Sequence, residues 1–387
     1  MQDIFIIGSK GIPARYGGFE TFVEQLTRHK KCEDIRYHVA CMAEESGEFE
    51  YQKSHCFRIK VPRIGPAKAV WYDLAAFFYC LNYLKQHPAK QPVVYVLACR
   101  IGPFAGFLKR RLHKMGGRLF VNPDGHEWMR AKWNKAIRKY WKFSEKGMVK
   151  HADLIICDSK NMEQYIKETY TSFKPRTTFI AYGADVAESR LSDADSKLRE
   201  WYGKWNLKPF SYYLIVGRFV PENNYETMIR EFMKSRTEKK LAVISNVEEN
   251  AFYQKLKEAT GFERDKRIVF CQTVYEEELL KKIRENAVGY LHGHEVGGTN
   301  PSLLEALGST EVSLLYDVGF NREVGEEAAF YWTKESGNLA SLIEKVSKLD
   351  PAERKILGEK AKQRILTEYS HKKIAETYEK TFLGEKP

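Results

Sequence analysis

The stretch Leu291 to Gly308, LHGHEVGGTNPSLLEALG, carries the residue types and spacing best suited to chemistry. An apolar run, Ala287 to Leu291, leads through a glycine-rich loop into a helix that Asn300 can cap and Pro301 can begin. Asn is a favoured N-cap, and proline at the first helical position gives up an amide that would be unpaired anyway. Such a loop aims backbone N–H groups and a positive helix end at one point, and Gly297 and Gly298 let a ligand approach the backbone closely. Glu295 precedes this anion site and Glu305 lies inside the helix. Two carboxylates beside a phosphate-sized site suit a nucleotide sugar, with amides meeting the diphosphate and acids accepting hydrogen bonds from sugar hydroxyls. A tight strand-to-helix connection without a ligand is the plainer alternative.

The elements that must position these residues are short strands alternating with helices. Ile4 to Gly8, Val93 to Ala98, Arg118 to Asn122, Asp153 to Asp158 and Thr177 to Tyr182 read as buried parallel strands, being near-continuous apolar runs. Phe19, Phe22, Val23 and Leu26 have the spacing of a helix packed on one face. After Asp185 comes a polar stretch, and the pattern restarts with Tyr212 to Gly217, Leu241 to Asn246, Arg267 to Gln272, Ala287 to Leu291 and Val312 to Asp317. The expectation is two doubly wound α/β domains, 1–187 and 188–387, joined near residues 185 to 210, with the last helix free to pack back on the first. In open sheets of this kind ligands bind outside the carboxyl ends of strands. Four motifs follow strands there: GSKGIPARYGGFE, NPDGHEW, GRFVPENNYE and HGHEVGGTNP. A cleft between the domains would gather them.

A length of 387 residues fits two domains, each with its own core. No apolar run approaches the roughly 20 residues of a membrane span, and the strand-like start at Ile4 leaves no room for a signal peptide. Seven scattered cysteines without a CxxC pair read as reduced, mostly buried thiols, in keeping with a cytoplasmic protein. His292, His294 and Glu295 lack the spacing of a helical zinc motif, so no metal is expected.

Charge is unevenly placed. Residues 1–187 hold 31 Lys and Arg against 18 Asp and Glu, whereas 188–387 hold 32 against 33. Residues 101–150 alone hold 13 against 3. Here FLKRRLHK and WMRAKWNKAIRKYWKF interleave basic and aromatic side chains, a composition suited to an anionic membrane surface docking on residues 104–150. A solvated basic helix face is the alternative.

Taken together, IIGSKGIPARYGGFETFVE, ACRIGPF, VNPDGHEW, KHADLIICDSKN, YLIVGRFVPENNYE, HGHEVGGTNPSLLEAL and DVGFNREVG resemble the retaining GT-B glycosyltransferases of family 4. The nearer resemblance is to bacterial rhamnosyltransferases that build capsule and rhamnose-rich cell-wall polysaccharides. It implies a GT-B fold, two Rossmann-like doubly wound domains facing a cleft. It also implies a dTDP-L-rhamnose donor held by the second domain and a lipid-diphosphate-linked sugar acceptor held by the first. Rhamnose would pass to the 4-hydroxyl of a glucose or N-acetylglucosamine on undecaprenyl diphosphate, without a metal or other cofactor, at the inner face of the cell membrane. A UDP-hexose is the alternative donor.

The resemblance implies roles for particular residues. Arg218, His126, Asp124 and Glu295 would line the reacting centre, with Arg218 neutralising the diphosphate and His126 donating to a sugar hydroxyl. Arg218, Glu222, Asn224, Gly297, Gly298, Thr299, Asn300 and Glu305 would bind the donor, Glu305 through its ribose. Arg15, Tyr16, Gly17, Gly18 and Glu127 would bind the acceptor. The chain departs from the broader family in two places. Glu295 and Glu305 are separated by nine residues where the family has seven, so Gly297 occupies the position eight before Glu305. Asn223 and Asn224 stand where a Lys would be expected.

Two other classes fit less well. A nucleic-acid binder could use the basic first half, but no helix-turn-helix, finger or RNP signature is present, and no nucleic-acid partner is expected. A nucleotide-sugar epimerase or dehydrogenase would call for the absent GxGxxG.

Overall fold

The computed structural model describes residues 1–14, 17–129 and 133–385, in two compact units. The first comprises Met1–Gly183 and His371–Pro387, the second Ala184–Ser370. The division therefore falls four residues before the expected boundary, and the chain's last segment belongs to the first unit.

The first unit is built on an eight-stranded sheet: β1 (Gln2–Ile7), β2 (Ile35–Ala43), β3 (Gly47–Tyr51), β4 (Ser54–Lys60), β5 (Val93–Leu97), β6 (Arg118–Asn122), β7 (Leu154–Cys157) and β8 (Thr177–Phe179). Their order is β3-β4-β2-β1-β5-β6-β7-β8, parallel except for β3 against β4. Helices α1 (Gly18–Arg28), α2 (Lys68–Gln86), α3 (Gly102–His113), α4 (Lys135–His151) and α5 (Lys160–Thr169) connect them. The period-2 geometry of a strand divides its side chains between two faces. Val94 and Val96 of β5 pack with Phe77, Leu81, Leu108 and Met148, so α2, α3 and α4 cover one face together. Strands β2 to β4 were not anticipated. The reason is visible in β2, where buried His38 is satisfied by Asp3 and His55 rather than by apolar neighbours, breaking the hydrophobic run.

The second unit has six parallel strands, β9 (Tyr212–Val216), β10 (Lys240–Ile244), β11 (Ile268–Cys271), β12 (Gly289–His292), β13 (Ser313–Tyr316) and β14 (Phe330–Trp332), ordered β11-β10-β9-β12-β13-β14. Its helices are α6 (Ser196–Trp205), α7 (Tyr225–Lys234), α8 (Ala251–Thr260), α9 (Glu277–Glu285), α10 (Pro301–Ser309), α11 (Gly319–Gly325), α12 (Asn338–Lys348) and α13 (Pro351–Glu368). One sheet face packs Tyr213, Ile215 and Val243 with Phe232 and Ile343, and the other packs Tyr212, Leu214 and Ile244 with Leu198, Trp201 and Ile283. The polar stretch after Asp185 is thus no simple linker. It contains α6, whose Leu198 and Trp201 are part of a core and whose start Asp195 caps.

Helix α14 (His371–Leu383) then returns to the first unit and packs on α1. The Tyr378 ring meets Phe22 and Tyr95, while Phe382 meets Tyr37, Tyr95 and Phe120. Gln2 donates to the Phe382 carbonyl at 3.0 Å, fixing the helix end against β1. No helix among the described residues is long and apolar enough to cross a membrane. All seven cysteines are free, and all but Cys32 are buried.

Phe382 is fully buried, and deleting a buried aromatic ring costs about 3–5 kcal/mol when the site cannot collapse. Phe382→Ala should lower the unfolding free energy of the first unit by that amount in urea titrations, whereas a loss within a few tenths of a kcal/mol would mean that α14 is not integral to it.

Candidate functional site

In the second unit β9 and β12 are neighbours, yet the chain leaves β9 toward β10 on one side and leaves β12 toward β13 on the other. This is the switch point at which an open parallel sheet leaves a crevice for ligand. The loops that follow are Gly217 to Asn224 and Gly293 to Asn300. They satisfy one another. Asn224, in a left-handed conformation at φ 53°, donates from Nδ2 to the Gly293 carbonyl at 2.8 Å and to the Glu295 carboxylate at 3.0 Å. The Glu295 amide donates to the Glu222 carbonyl at 3.1 Å, and His294 Nδ1 lies 2.9 Å from Asn223 Oδ1. A side chain at residue 293 would place its Cβ 2.3 Å from the Asn223 carbonyl oxygen, so glycine is required for the loops to close.

The structure thereby brings Glu222, Asn223, Asn224, His294 and Glu295 together. Arg218, at the start of the first loop, is exposed, and its guanidinium has no ion-pair partner among the described residues; its carbonyl accepts from Asn223 Nδ2 at 2.7 Å. Gly297 has φ 138°, and the amides of Gly297, Gly298 and Asn300 donate to no described residue. Asn300 caps α10 by accepting from the Ser302 amide at 2.9 Å, with Pro301 at the first turn. Buried Thr299 completes the loop.

Glu305, one turn into α10, is bound by Arg284 of α9 at 2.6 Å. The pair is asymmetric, with the Arg284 side chain 6% exposed and that of Glu305 37%. The carboxylate is thus held in place by a buried cation while keeping a solvent-facing side. A second unanticipated cation is Lys334, just past β14, whose Nζ sits 2.5 Å from Glu295 and 5.2 Å above the Tyr316 ring. Neither was legible locally, because both lie outside the strand-end motifs and reach the site only through the fold. Among the described residues no group of three His, Cys, Asp or Glu is gathered as a metal site.

His292 ends β12 beneath these loops. It is buried, and desolvation pushes its imidazole down to about 3, so it is neutral over the physiological range. Tyr290 and Ser302 hydroxyls both donate to the Val216 carbonyl, at 3.0 and 3.1 Å, joining the ends of β9 and β12 beside it.

In the first unit the NPDGHEW loop follows β6. Asp124 adopts φ 59° and its amide donates to buried Asn122 Oδ1 at 2.8 Å. His126 lies edge-on to Tyr165, ring centroids 4.3 Å apart; its carbonyl accepts from the Met129 amide at 2.8 Å, while its imidazole makes no hydrogen bond to a described residue. Burial lowers its pKa, the nearby Lys142 lowers it further, and Glu145 opposes both. Glu145 is buried and accepts from Tyr165 at 2.6 Å, from Lys142 at 3.1 Å and from Tyr170. Lys142 stands over the Trp128, Tyr165 and Tyr170 rings. Glu127 accepts from the Trp133 indole at 2.8 Å. Gly17, at φ 133°, precedes Gly18 at the start of α1; a Cβ there would meet the Glu20 carboxylate. That carboxylate accepts from the Lys10 amide at 2.7 Å, and Glu24 accepts from the Ala14 amide at 2.6 Å, so α1 organises the loop before it. Arg15 and Tyr16 lie outside the described residues.

Residues 1–185 match a family described as a domain of unknown function, DUF1972. No curated protein matches the chain significantly. Among solved structures, a sucrose-phosphate synthase from Thermosynechococcus elongatus is similar with a TM-score of 0.78 at 16% identity, over 100% of both chains. A trehalose-6-phosphate structure from E. coli bound with UDP-2-fluoro glucose is similar with a TM-score of 0.73 at 11% identity, over 99% of each chain. Anabaena Alr3699/HepE in complex with UDP gives 0.71 at 14%, over 99% of this chain and 100% of that one. These likenesses give the fold as GT-B, with two Rossmann-like domains.

The buried histidine sets an acid limit on stability. The folded imidazole takes up its proton only near pH 3 and the unfolded one near 6.5, so between these values the unfolded chain binds more protons and stability falls as pH drops. Relative to wild type, His292→Gln should gain about 1.4 kcal/mol per pH unit below 6.5 in denaturant titrations. A pH-independent difference would show that His292 is not held neutral.

Proposed function

We propose that this protein is a retaining glycosyltransferase that moves L-rhamnose from dTDP-L-rhamnose to the 4-hydroxyl of a glucose or N-acetylglucosamine on undecaprenyl diphosphate, in bacterial surface polysaccharide synthesis. The observation that carries the reading is the pair of interlocked loops at the β9/β12 switch point, which sets two carboxylates beside amides and an Arg218 guanidinium that have no partner among the described residues. The second unit would hold the donor and the first the acceptor.

In this reaction the departing diphosphate accepts the proton of the acceptor hydroxyl as the new glycosidic bond forms on the same face. No metal or other cofactor enters the proposal. Arg218 and the amides of Gly297 to Asn300 stabilise the leaving charge, each preorganised donor contributing on the order of 10² to 10³ in rate. Glu305 receives the ribose hydroxyls on its open side. Neutral His126, with Asp124 beside it in sequence, serves sugar hydroxyls as a hydrogen-bonding group.

A UDP-hexose donor is the second reading, favoured by the UDP and the UDP-2-fluoro glucose in two of the similar structures. The two are separated by offering dTDP-L-rhamnose, UDP-glucose and UDP-N-acetylglucosamine against glucosyl and N-acetylglucosaminyl diphospholipids, with products read by mass spectrometry. A deoxyhexose added only from dTDP-L-rhamnose supports the first; transfer from a UDP-sugar alone replaces it with the second. Glu305→Gln, which keeps the shape of the Arg284 contact, should weaken donor binding about tenfold or more while the protein stays folded. Unchanged donor affinity would remove Glu305 from the site.

A lipid acceptor also calls for a membrane surface, and the cytoplasmic leaflet is the proposed location. Helices α2, α3 and α4 support it. Their sequences hold eleven Lys and Arg, while their only acids, Asp73 and Glu145, are buried. Trp71, Phe78, Phe104, Phe107 and Phe143 project from the same helices, 39% to 62% exposed. The docking face would thus extend beyond residues 104–150 to include α2. Arg138 is not a free member of it, since its guanidinium donates to the Trp128 carbonyl at 2.7 Å. Replacing Phe104 and Phe107 with Ser and Lys139 and Lys146 with Glu should abolish sedimentation with anionic liposomes and spare turnover of a short-chain soluble acceptor. Retained sedimentation would sink the docking face.

A further inference from the structure

We propose that Arg100, tethered by Asp73 and accompanied by Asp124, forms a hydroxyl-binding subsite for a neutral pyranose at the crevice between β1 and β5. If the protein is the transferase proposed above, this subsite takes the acceptor's sugar ring and not its diphosphate.

Placement comes from topology. From β1 the chain goes through α1 to β2, and from β5 it goes through α3 to β6, on the opposite side in the sheet order. The β1/β5 pair is therefore the first unit's own switch point. Arg100 follows the carboxyl end of β5 by three residues. Its Nη1 donates to the Gly8 carbonyl at 2.7 Å, just past the end of β1, and reaches the Asp73 carboxylate oxygens at 3.4 and 3.3 Å. From α4, Tyr140 donates to the Arg100 carbonyl at 2.8 Å. Three elements thus fix one arginine at the crevice.

The way it is fixed argues for a ligand. Asp73 is fully buried in α2, and desolvation pushes its carboxyl up to about 6 in spite of the guanidinium beside it. Burying an ion pair is costly unless its hydrogen bonds are completed. Here the guanidinium uses only Nη1, and its Nε and Nη2 have no partner among the described residues, although the side chain is just 21% exposed. A clamp serving the fold alone would use the fork against the carboxylate. This one holds the guanidinium from one end and leaves the other donors open.

Charge selects the ligand class. The Asp73 carboxylate lies at 3.3 and 3.4 Å from the guanidinium, and although burial opposes the Arg100 charge, Asp73, Asp124 and Glu127 together raise its pKa, so the guanidinium is set among acids. A diphosphate would be repelled by such surroundings. Sugar hydroxyls suit them, because a hydroxyl can donate to carboxylate and accept from guanidinium.

The test measures binding of hexyl α-D-glucopyranoside, the matching N-acetylglucosaminide and the monodeoxy forms of both to wild type, Arg100→Met and Arg100→Lys, by titration NMR without donor. Arg100→Met should weaken the preferred glycoside about 10- to 100-fold. It should leave the thermal shift by dTDP or UDP unchanged. Deleting the hydroxyl that meets Arg100 should cost wild type a similar factor and cost Arg100→Met nothing further, a coupling that a merely structural arginine cannot produce. Should Arg100→Met not fold, Arg100→Lys keeps the charge and carries the same comparison. Equal glycoside affinity in a folded variant, or equal deoxy penalties in both proteins, would overturn the subsite. Arg100-dependent glycoside binding in a protein that transfers no sugar would instead overturn the transferase reading and keep the subsite.

Discussion

One carboxamide holds the second unit's strand edge together. At a switch point the chain diverges from two adjacent strands, and the carbonyls at their ends lose their ladder partners. Asn224 repairs this from a left-handed backbone position, giving one N–H to the Gly293 carbonyl and the other to Glu295. Once that contact exists, residue 293 must be glycine, the Glu295 amide finds the Glu222 carbonyl, and the glycine pair at 297 and 298 is left as the open part of the loop. Asn224, close to where the resemblance leads one to expect a cation, is therefore committed on both of its N–H groups. Its carboxamide rigidifies the loop, and a cation reaches the same carboxylate as Lys334, from beyond β14.

The first unit handles buried charge differently. Glu145 lies inside a helix packed against the sheet, where a lone carboxylate would be strongly destabilising. Two tyrosines and Lys142 converge on it, and Lys142 is itself sheltered by three aromatic faces. The network consumes the one acid of α4 internally, which is why the outer surface of that helix is left positive. The same arithmetic holds for α2, whose single acid is committed to Arg100. A polar interior and a basic, aromatic exterior are thus two consequences of where the few acids went.

How much of this was legible in the sequence follows from range. Strands buried on both faces, such as β1, β5, β9 and β12, announce themselves as apolar runs, and Asn300 with Pro301 marks the start of α10 by local chemistry alone. Strand β2 hides because His38 is satisfied by Asp3 and His55, partners supplied by two other strands. Helix α6 hides because only Leu198 and Trp201 of its ten residues are buried, so its amphipathic signal is swamped by charge. Arg284, Lys334 and Arg100 were missed for a common reason. Their relevance arises from tertiary neighbours between 21 and 92 residues away, and no local spacing encodes that.

The altered spacing of the two glutamates acquires a physical sense from their partners. Glu295 gives one oxygen to both Asn224 and Lys334, and Glu305 gives one oxygen to Arg284. Each is anchored on one side and open on the other, which preorganises a carboxylate as an acceptor without requiring a ligand to order it. At residue 297, the position to which the resemblance assigns the first acid, the backbone takes φ 138°, where a side chain is strained. A side chain at that point would be strained, whereas Glu295, two residues upstream, is held by Asn224 of the β9 loop.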